Sequence, residues 1–244
     1  MSLKFDKIRV LETGYNQASW NMALDEALLN KMDDTPVLRL YGWRPPAVSI
    51  GYFQNMDQEV NVDRCKHCGI DVVRRMTGGG AVFHDSELTY SFLTKKYPQS
   101  IIESYELICD AIIIAINKLG FVSKFSPLND ITINGRKVSG NAQTRKKNTL
   151  LQHGTILLNA NIDEMFSVLK VPSEKLRDKM ITDVKQRITV LDKTFDEVAA
   201  ALKAGFSEKF DARLVMDKLG EEEEADTKNL VREKYATHQW NWKR

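Results

Sequence analysis

The sequence predicts one α/β domain that ends in a small helical C-terminal segment. Three observations carry this. Strand-like and helix-like stretches alternate along the 244 residues without an internal repeat. Asn134-Gly135 sits between alternating apolar residues, a strong signal for a two-residue hairpin. Three consecutive glycines, Gly78, Gly79 and Gly80, lie between two strand-like stretches and do not open a helix.

Residues 8–12 read as the first strand. Residues 19–32 have helical spacing, with Trp20, Ala23, Leu24, Ala27 and Leu28 on one face. Residues 37–41 and 47–51 read as strands parted by Pro45-Pro46. Residues 70–73 enter the glycine loop as a strand, 81–83 leave it as another, and 88–93 follow after a short turn. Ser100 and Glu103 form a capping box that opens a helix closed by Gly120, and its stretch 108–116 is apolar on most sides and belongs in the core. Residues 150–158 make a strand interrupted by Gln152-His153-Gly154-Thr155. Residues 162–183 look mostly helical, broken near Pro172. Thr194 and Glu197 form a second capping box, opening a helix to about residue 210. The acidic run 221–224 with Asp226 reads as a solvated loop or a helix start. Trp240-Asn241-Trp242 suggests that the tail docks onto the body.

Composition narrows the class. Hydrophobic residues make up 43% of the chain, enough for a core, and a net charge of +2 demands no nucleic-acid partner. The longest apolar run, residues 111–116, is far too short for a membrane span. The N-terminus has no signal-peptide apolar region. Three cysteines cannot all pair with one another, and a reducing cytoplasm is the expected compartment. Cys65 and Cys68 have the spacing of half a zinc site, but no second pair exists. They fall instead near the end of a helix stopped by Gly69.

Two stretches point to chemistry. Glycine gives up much chain entropy on folding, so a triple is kept where backbone must approach something closely. Arg74-Arg75 before it and His84-Asp85 after it make that something anionic, because guanidinium and backbone N–H groups suit phosphate or carboxylate. Neither a P-loop nor a dinucleotide fingerprint is present. The loop therefore reads as a strand–loop–strand anion cradle, against the plainer alternative of a glycine-rich bulge with surface arginines. In the hairpin, a two-residue turn sets Ile133 opposite Arg136, Thr132 opposite Lys137, Ile131 opposite Val138 and Asp130 opposite Ser139. Alternation then puts Asp130, Thr132, Lys137 and Ser139 on one polar face. That face is either simply wet, or a site face with Lys137 as a point charge and Asp130 holding that lysine or a magnesium ion.

Taken together, Arg74–Asp85, the Asn129-Asp130 pair, the run Gly135–Gln143, and Gln152–Leu158 resemble the lipoate–protein ligase family. The likeness extends from Asn21-Met22-Ala23-Leu24-Asp25-Glu26 to Trp240-Asn241-Trp242. The resemblance implies a mixed β-sheet flanked by helices, shared with biotin–protein ligases, as one catalytic domain over residues 1–244 whose helical C-terminal segment begins at about 194. It implies activation of lipoate by ATP and Mg²⁺ to lipoyl-AMP, then transfer to a lysine of lipoyl-accepting domains. Those acceptors are E2 subunits of 2-oxo-acid dehydrogenases or the glycine-cleavage H protein. By motif, Lys137 bridges the lipoate carboxylate and the α-phosphate as a cation, and Arg75 holds the nucleotide phosphates. Gly78, Gly79 and Gly80 let backbone approach the ligand, Ala81, Val82 and Phe83 line the nucleotide site, and His84 and His153 join the pocket. Asp130 is the candidate Mg²⁺ ligand. Arg74 points to the opposite face of its strand and is not carried over. Arg145, Lys146 and Lys147 form a basic loop that either closes over the adenylate, meets an acidic acceptor, or is a solvated turn. Larger family members carry a further C-terminal domain, and some receive it instead as a separate small accessory protein; a chain of that second kind binds ATP and lipoate but completes the reaction poorly alone.

The related octanoyltransferases share the fold but carry the acyl group on a cysteine shortly before the lysine hairpin. Residues 125–129 of this chain contain no cysteine, and Cys109 lies in the helix expected to be buried. On that requirement the expectation favours the ligase over the transferase. Lys137 and Arg75 argue against a non-catalytic lipoyl-AMP binder, and a biotin ligase carries a different arginine-rich glycine pattern in its signature loop.

Overall fold

The computed structural model describes residues 3–170 and 174–244. The elements follow in chain order: β1 (Lys7–Asn16), α1 (Ala18–Lys31), β2 (Val37–Trp43), β3 (Ala47–Ile50), α2 (Met56–Glu59), α3 (Val62–Cys68), β4 (Asp71–Arg74), β5 (Val82–His84), β6 (Glu87–Thr94) and α4 (Ile101–Lys118). Then come β7 (Ser123–Ser126), β8 (Asp130–Ile133), β9 (Arg136–Lys146), β10 (Thr149–Leu157), α5 (Ile162–Val168), α6 (Glu174–Arg187), α7 (Phe195–Phe210), β11 (Arg213–Asp217) and α8 (Glu221–Leu230). A π-helical turn (Val231–Tyr235) and α9 (His238–Asn241) finish the chain.

The large sheet has the order β11-β1-β2-β6-β10-β9-β8-β7. It is mixed: β11, β1 and β2 run parallel, and the remaining neighbours pair antiparallel. Helices α4 and α7 cover one face, where Phe92, Phe206 and Phe210 pack with Ile108, Ile112 and Leu202. The central strands β2 and β6 are buried along their whole length, because both faces are covered. A smaller sheet, β4-β3-β5, lies beside α1 and presents the glycine loop between β4 and β5.

Local signals placed these elements well. Thr194 makes both arms of its capping box with Glu197, and Ser100 Oγ accepts from the Glu103 N–H. Gly69 ends α3 in the left-handed conformation at φ 66°. The acidic run is a helix start, where negative charge suits the helix dipole. The break expected near Pro172 lies outside the described residues, and α5 and α6 flank it. Strand β11 went unrecognised in the sequence; its parallel pairing with β1 joins residues about 200 positions apart. Among the described residues no helix is long and apolar enough to cross a membrane.

Two expectations need correction. The Asn134-Gly135 turn forms with positive φ at both residues, and Ile133 and Thr132 face Arg136 and Lys137. Beyond that a bulge shifts the register, so Ile131 faces Ser139 and Asp130 faces Gly140. Ser139 is therefore turned into the interior and leaves the polar face; both its hydroxyl and that of Thr132 are buried without a partner. Arg145 and Lys146 belong to β9, leaving only Lys147 in the turn. Arg145 donates to the carbonyls of Pro98, Gln99 and Ser100, and Lys146 pairs with Glu26 at 3.0 Å. These two side chains are committed to structure and form no free loop.

Candidate active site

A cavity of about 780 Å³ opens between the small sheet, the middle of the large sheet and helices α5 and α6. Of the residues expected in the site, Arg75, Gly79, Gly80, Ala81, Val82, Phe83, His84, Asp130, Lys137 and His153 all line it. Gly78 does not; it supports the wall from behind by giving its carbonyl to Arg75.

Lys137 is positioned by three features. The hairpin turn brings it to the cavity, and its Nζ, on a side chain 43% exposed, lies 2.8 Å from Asp130 Oδ1. The third feature is Gly140. A methyl group there would fall 2.7 Å from both Lys137 Cε and Nζ, so the absence of a side chain makes room for the lysine. Gly140→Ala is expected to displace Lys137 and lower turnover by on the order of tenfold to a hundredfold while melting stays near wild type. Steady-state kinetics beside a thermal melt checks it.

Arg75 is the hub of the glycine loop and is almost wholly buried. Its Nη2 donates to the carbonyls of Gly78 and Gly80 at 2.8 and 2.7 Å, and its Nη1 to Ser49 O and Oγ at 3.1 Å. Its Nε donates to Thr77 Oγ1 at 3.2 Å. Burial lowers its pKa to about 10, so it stays a cation at neutral pH. Because Ser49 and Thr77 accept from Arg75, each hydroxyl has its own proton to give. Ser49 gives it to His84 Nε2 and Thr77 to His153 Nε2, both at 2.7 Å. The Nδ1 proton of His84 then goes to Glu87 at 2.6 Å, and that of His153 to Asp25 at 3.2 Å. Two hydroxyl–imidazole–carboxylate chains thus converge on one guanidinium. Burial, only partly offset by Asp25, keeps the His153 pKa below its ordinary value and the ring neutral.

The acid end of the second chain was not foreseen as part of the site. Asp25 is buried in α1, where Arg39 Nη1 and Ser91 Oγ both donate to its Oδ1 at 2.7 Å. Burial opposes its charge, but Arg39, His153 and Ser91 more than offset that, so its pKa lies below the ordinary carboxylate value. Asp25 belongs to the expected motif Asn21–Glu26, but its partner on β2 becomes visible only when β2 is laid against the helix. Arg74, as expected, points away from the cavity and holds the tail.

The three cysteines lie elsewhere. Cys65 and Cys109 are buried in apolar clusters, Cys68 is exposed at the end of α3, and none lines the cavity. Burial pushes the Cys109 thiol up to about 12, so it is protonated at neutral pH and a poor nucleophile.

Residues 17–207 match the model of the lipoyl protein ligase A/B catalytic domain, and the chain belongs to that family of protein-modifying enzymes. Along 97% of its length it is 34% identical to the octanoyltransferase LipM of Halalkalibacterium halodurans, covering 99% of that protein. It is also similar to the solved bi-partite lipoate protein ligase of Thermoplasma acidophilum, described with its E2 lipoyl domain. That match has a TM-score of 0.91 and 34% identity over 98% of this chain and 96% of the other. A crystal structure of lipoate-protein ligase A bound with ATP matches at a TM-score of 0.86 and 30% identity, over 98% and 99% of the two chains.

The end-to-end likeness to octanoyltransferases overturns the expectation of an ATP-dependent lipoate ligase, and with it the expected use of ATP and Mg²⁺. Two features of the site accord with the correction. The Arg75 donors expected to hold phosphates are spent inside the loop. Asp130, expected to hold Mg²⁺, is paired with Lys137. The separate accessory protein was inferred only from the ligase resemblance.

Proposed function

We propose that this chain transfers an octanoyl group from a carrier-bound thioester to the ε-amine of a lysine on a lipoyl-accepting domain. E2 subunits of 2-oxo-acid dehydrogenases and the glycine-cleavage H protein are acceptors of this class. The full-length likeness to proteins named octanoyltransferase carries the reading. The cavity supports it. Leu157, Met165, Phe166, Leu169, Val184 and Ile188 give it an apolar stretch suited to an acyl chain, next to a polar end with Lys137.

With no thiol at the cavity, the acyl group passes directly from donor to acceptor. The acceptor nitrogen attacks the thioester carbonyl carbon, the C–S bond breaks, and the carrier thiolate leaves. The proton lost by the amine goes to that thiolate. Lys137 Nζ holds the carbonyl oxygen as it gains negative charge. Arg75 and the glycines keep the wall behind the thioester rigid. The products are an amide and a free carrier thiol.

Transfer is tested by incubating octanoyl-loaded acyl carrier protein and an apo lipoyl domain with the purified chain, without nucleotide, and following octanoylation of the domain over time. Octanoylation supports the reading; its absence from a folded chain contradicts it. Cys109→Ser is expected to leave the initial rate unchanged, whereas loss of transfer in that variant would assign the acyl group to the thiol.

A further inference from the structure

We propose that Trp240 and Asn241 are positioning residues of the active site: they fix the triple-glycine loop through Arg74, so that the pocket wall is complete only with the tail docked. The assignment of the pocket as the acyl-donor site rests on the function proposed above; the mechanical link does not.

Arg74 ends β4, an edge strand of the small sheet. An edge leaves backbone groups unpaired, and here the tail pairs them. The Arg74 N–H donates to Asn241 Oδ1 at 2.7 Å, and the Arg74 carbonyl accepts from Trp240 Nε1 at 2.8 Å. The side chain is 0% exposed, and its bonds among the described residues go to carbonyls. Nε donates to Trp240 O at 3.1 Å and Nη2 to Asn241 O at 2.9 Å. Nη1 reaches the carbonyls of Gly51, Tyr52 and Gln54 at 3.2, 3.0 and 2.6 Å.

That 51–54 turn bears directly on the glycine loop. A methyl group on Gly51 would lie 2.0 Å from the Gly79 carbonyl oxygen, and the Tyr52 N–H donates to Thr77 O at 2.8 Å. The next residue after Arg74 is Arg75, which braces the loop from inside. The tail has its own anchor, since Glu26 on α1 accepts from Lys234 Nζ at 2.5 Å and from the Tyr235 hydroxyl at 2.7 Å. Asn241 Nδ2 donates back to Tyr235 O and Thr237 O, which holds the asparagine in register with Arg74. Contacts therefore run without a break from α1 through the tail and Arg74 to the wall of the cavity.

The test uses the full chain carrying Asn241→Ala, with Phe210→Leu in the distant core as a control for general loss of stability. Hydrogen exchange of residues 76–80 and separate KM values for octanoyl-carrier and lipoyl domain are measured. In Asn241→Ala, exchange of the loop is expected to rise about tenfold. KM for the donor is expected to rise and that for the acceptor to stay fixed. Phe210→Leu is expected to lower melting without loosening the loop. Unchanged loop exchange in Asn241→Ala, or equal loosening in the control, overturns the proposal. The exchange measurement decides even if the chain shows no octanoyl transfer, which separates failure of this proposal from failure of the functional reading.

Discussion

Lys137→Ala is expected to lower the turnover of octanoyl transfer by about 10²–10³-fold while leaving the fold intact, the range found when a single donor to a developing oxyanion is removed. The lysine sits at the polar end of the cavity with its stem laid over Gly140. Its bond to Asp130 joins two partly exposed side chains, and pairs of that kind contribute about 0–1 kcal/mol to stability. Melting is thus expected to move little, and a thermal melt beside the kinetics separates lost chemistry from lost structure. Lys137→Arg is expected to recover only part of the rate, because a planar fork does not occupy the place of a compact ammonium. Near wild-type turnover in Lys137→Ala would remove the lysine from the mechanism.

The largest expected loss of stability is that of Asp25→Ala, about 3–5 kcal/mol, the cost of leaving a buried charge without its partner. Arg39 is 0% exposed on β2, and among the described residues Asp25 is its one carboxylate partner. Its remaining bonds go to Asn21 and Thr13, which carry no charge to balance it. For a chain of this length the loss corresponds to a melting shift of roughly 6–20 °C. The pH dependence follows from the direction of the shift. The folded carboxyl has a lower pKa than the unfolded one, so the unfolded chain binds the extra proton as acid is added. The stabilisation is fully present above the unfolded pKa and is lost as pH falls through the folded one. Melting of the wild-type chain is therefore expected to fall steeply in acid, and that of Asp25→Ala to fall less over the same range. Parallel acid limbs in the two proteins would show that Asp25 is not the group responsible.

What could be read from the sequence was local. The Asn134-Gly135 turn, the Thr194 cap, the Gly69 stop and the strand–loop–strand setting of the glycines each depend on a few adjacent residues, and all appear in the structure. What could not be read depends on pairing across the chain. The bulge beyond Thr132 is set by how β9 must meet both β8 and β10, so alternation alone misplaced Ser139. The helix face on α1 was assigned by apolar spacing, yet its acidic residues Asp25 and Glu26 are as buried as its leucines, because Arg39, Lys146 and Lys234 come to them from other elements. The family resemblance makes Arg75 a phosphate ligand. Its role as the internal brace of the loop emerges only once the carbonyls of Gly78 and Gly80 and the Ser49 and Thr77 hydroxyls are placed around it.

The functional misreading has a similar root. The absence of cysteine near the hairpin was weighed as an argument against a transferase, because that argument assumed an acyl-enzyme on sulfur. A carrier thioester is already an activated acyl group, so a site that aligns it with an amine and steadies the carbonyl oxygen needs no nucleophile of its own.

The central claim is tested most directly by weighing enzyme and acceptor in the same sample. Octanoyl-carrier, the chain and an apo lipoyl domain are mixed without nucleotide, quenched during the first turnover and examined by intact-mass spectrometry. The account expects the lipoyl domain to gain one octanoyl group while the mass of the chain stays unchanged. A lipoyl domain that gains nothing would contradict octanoyl transfer, and an octanoylated chain that passes its group to the acceptor would contradict direct transfer.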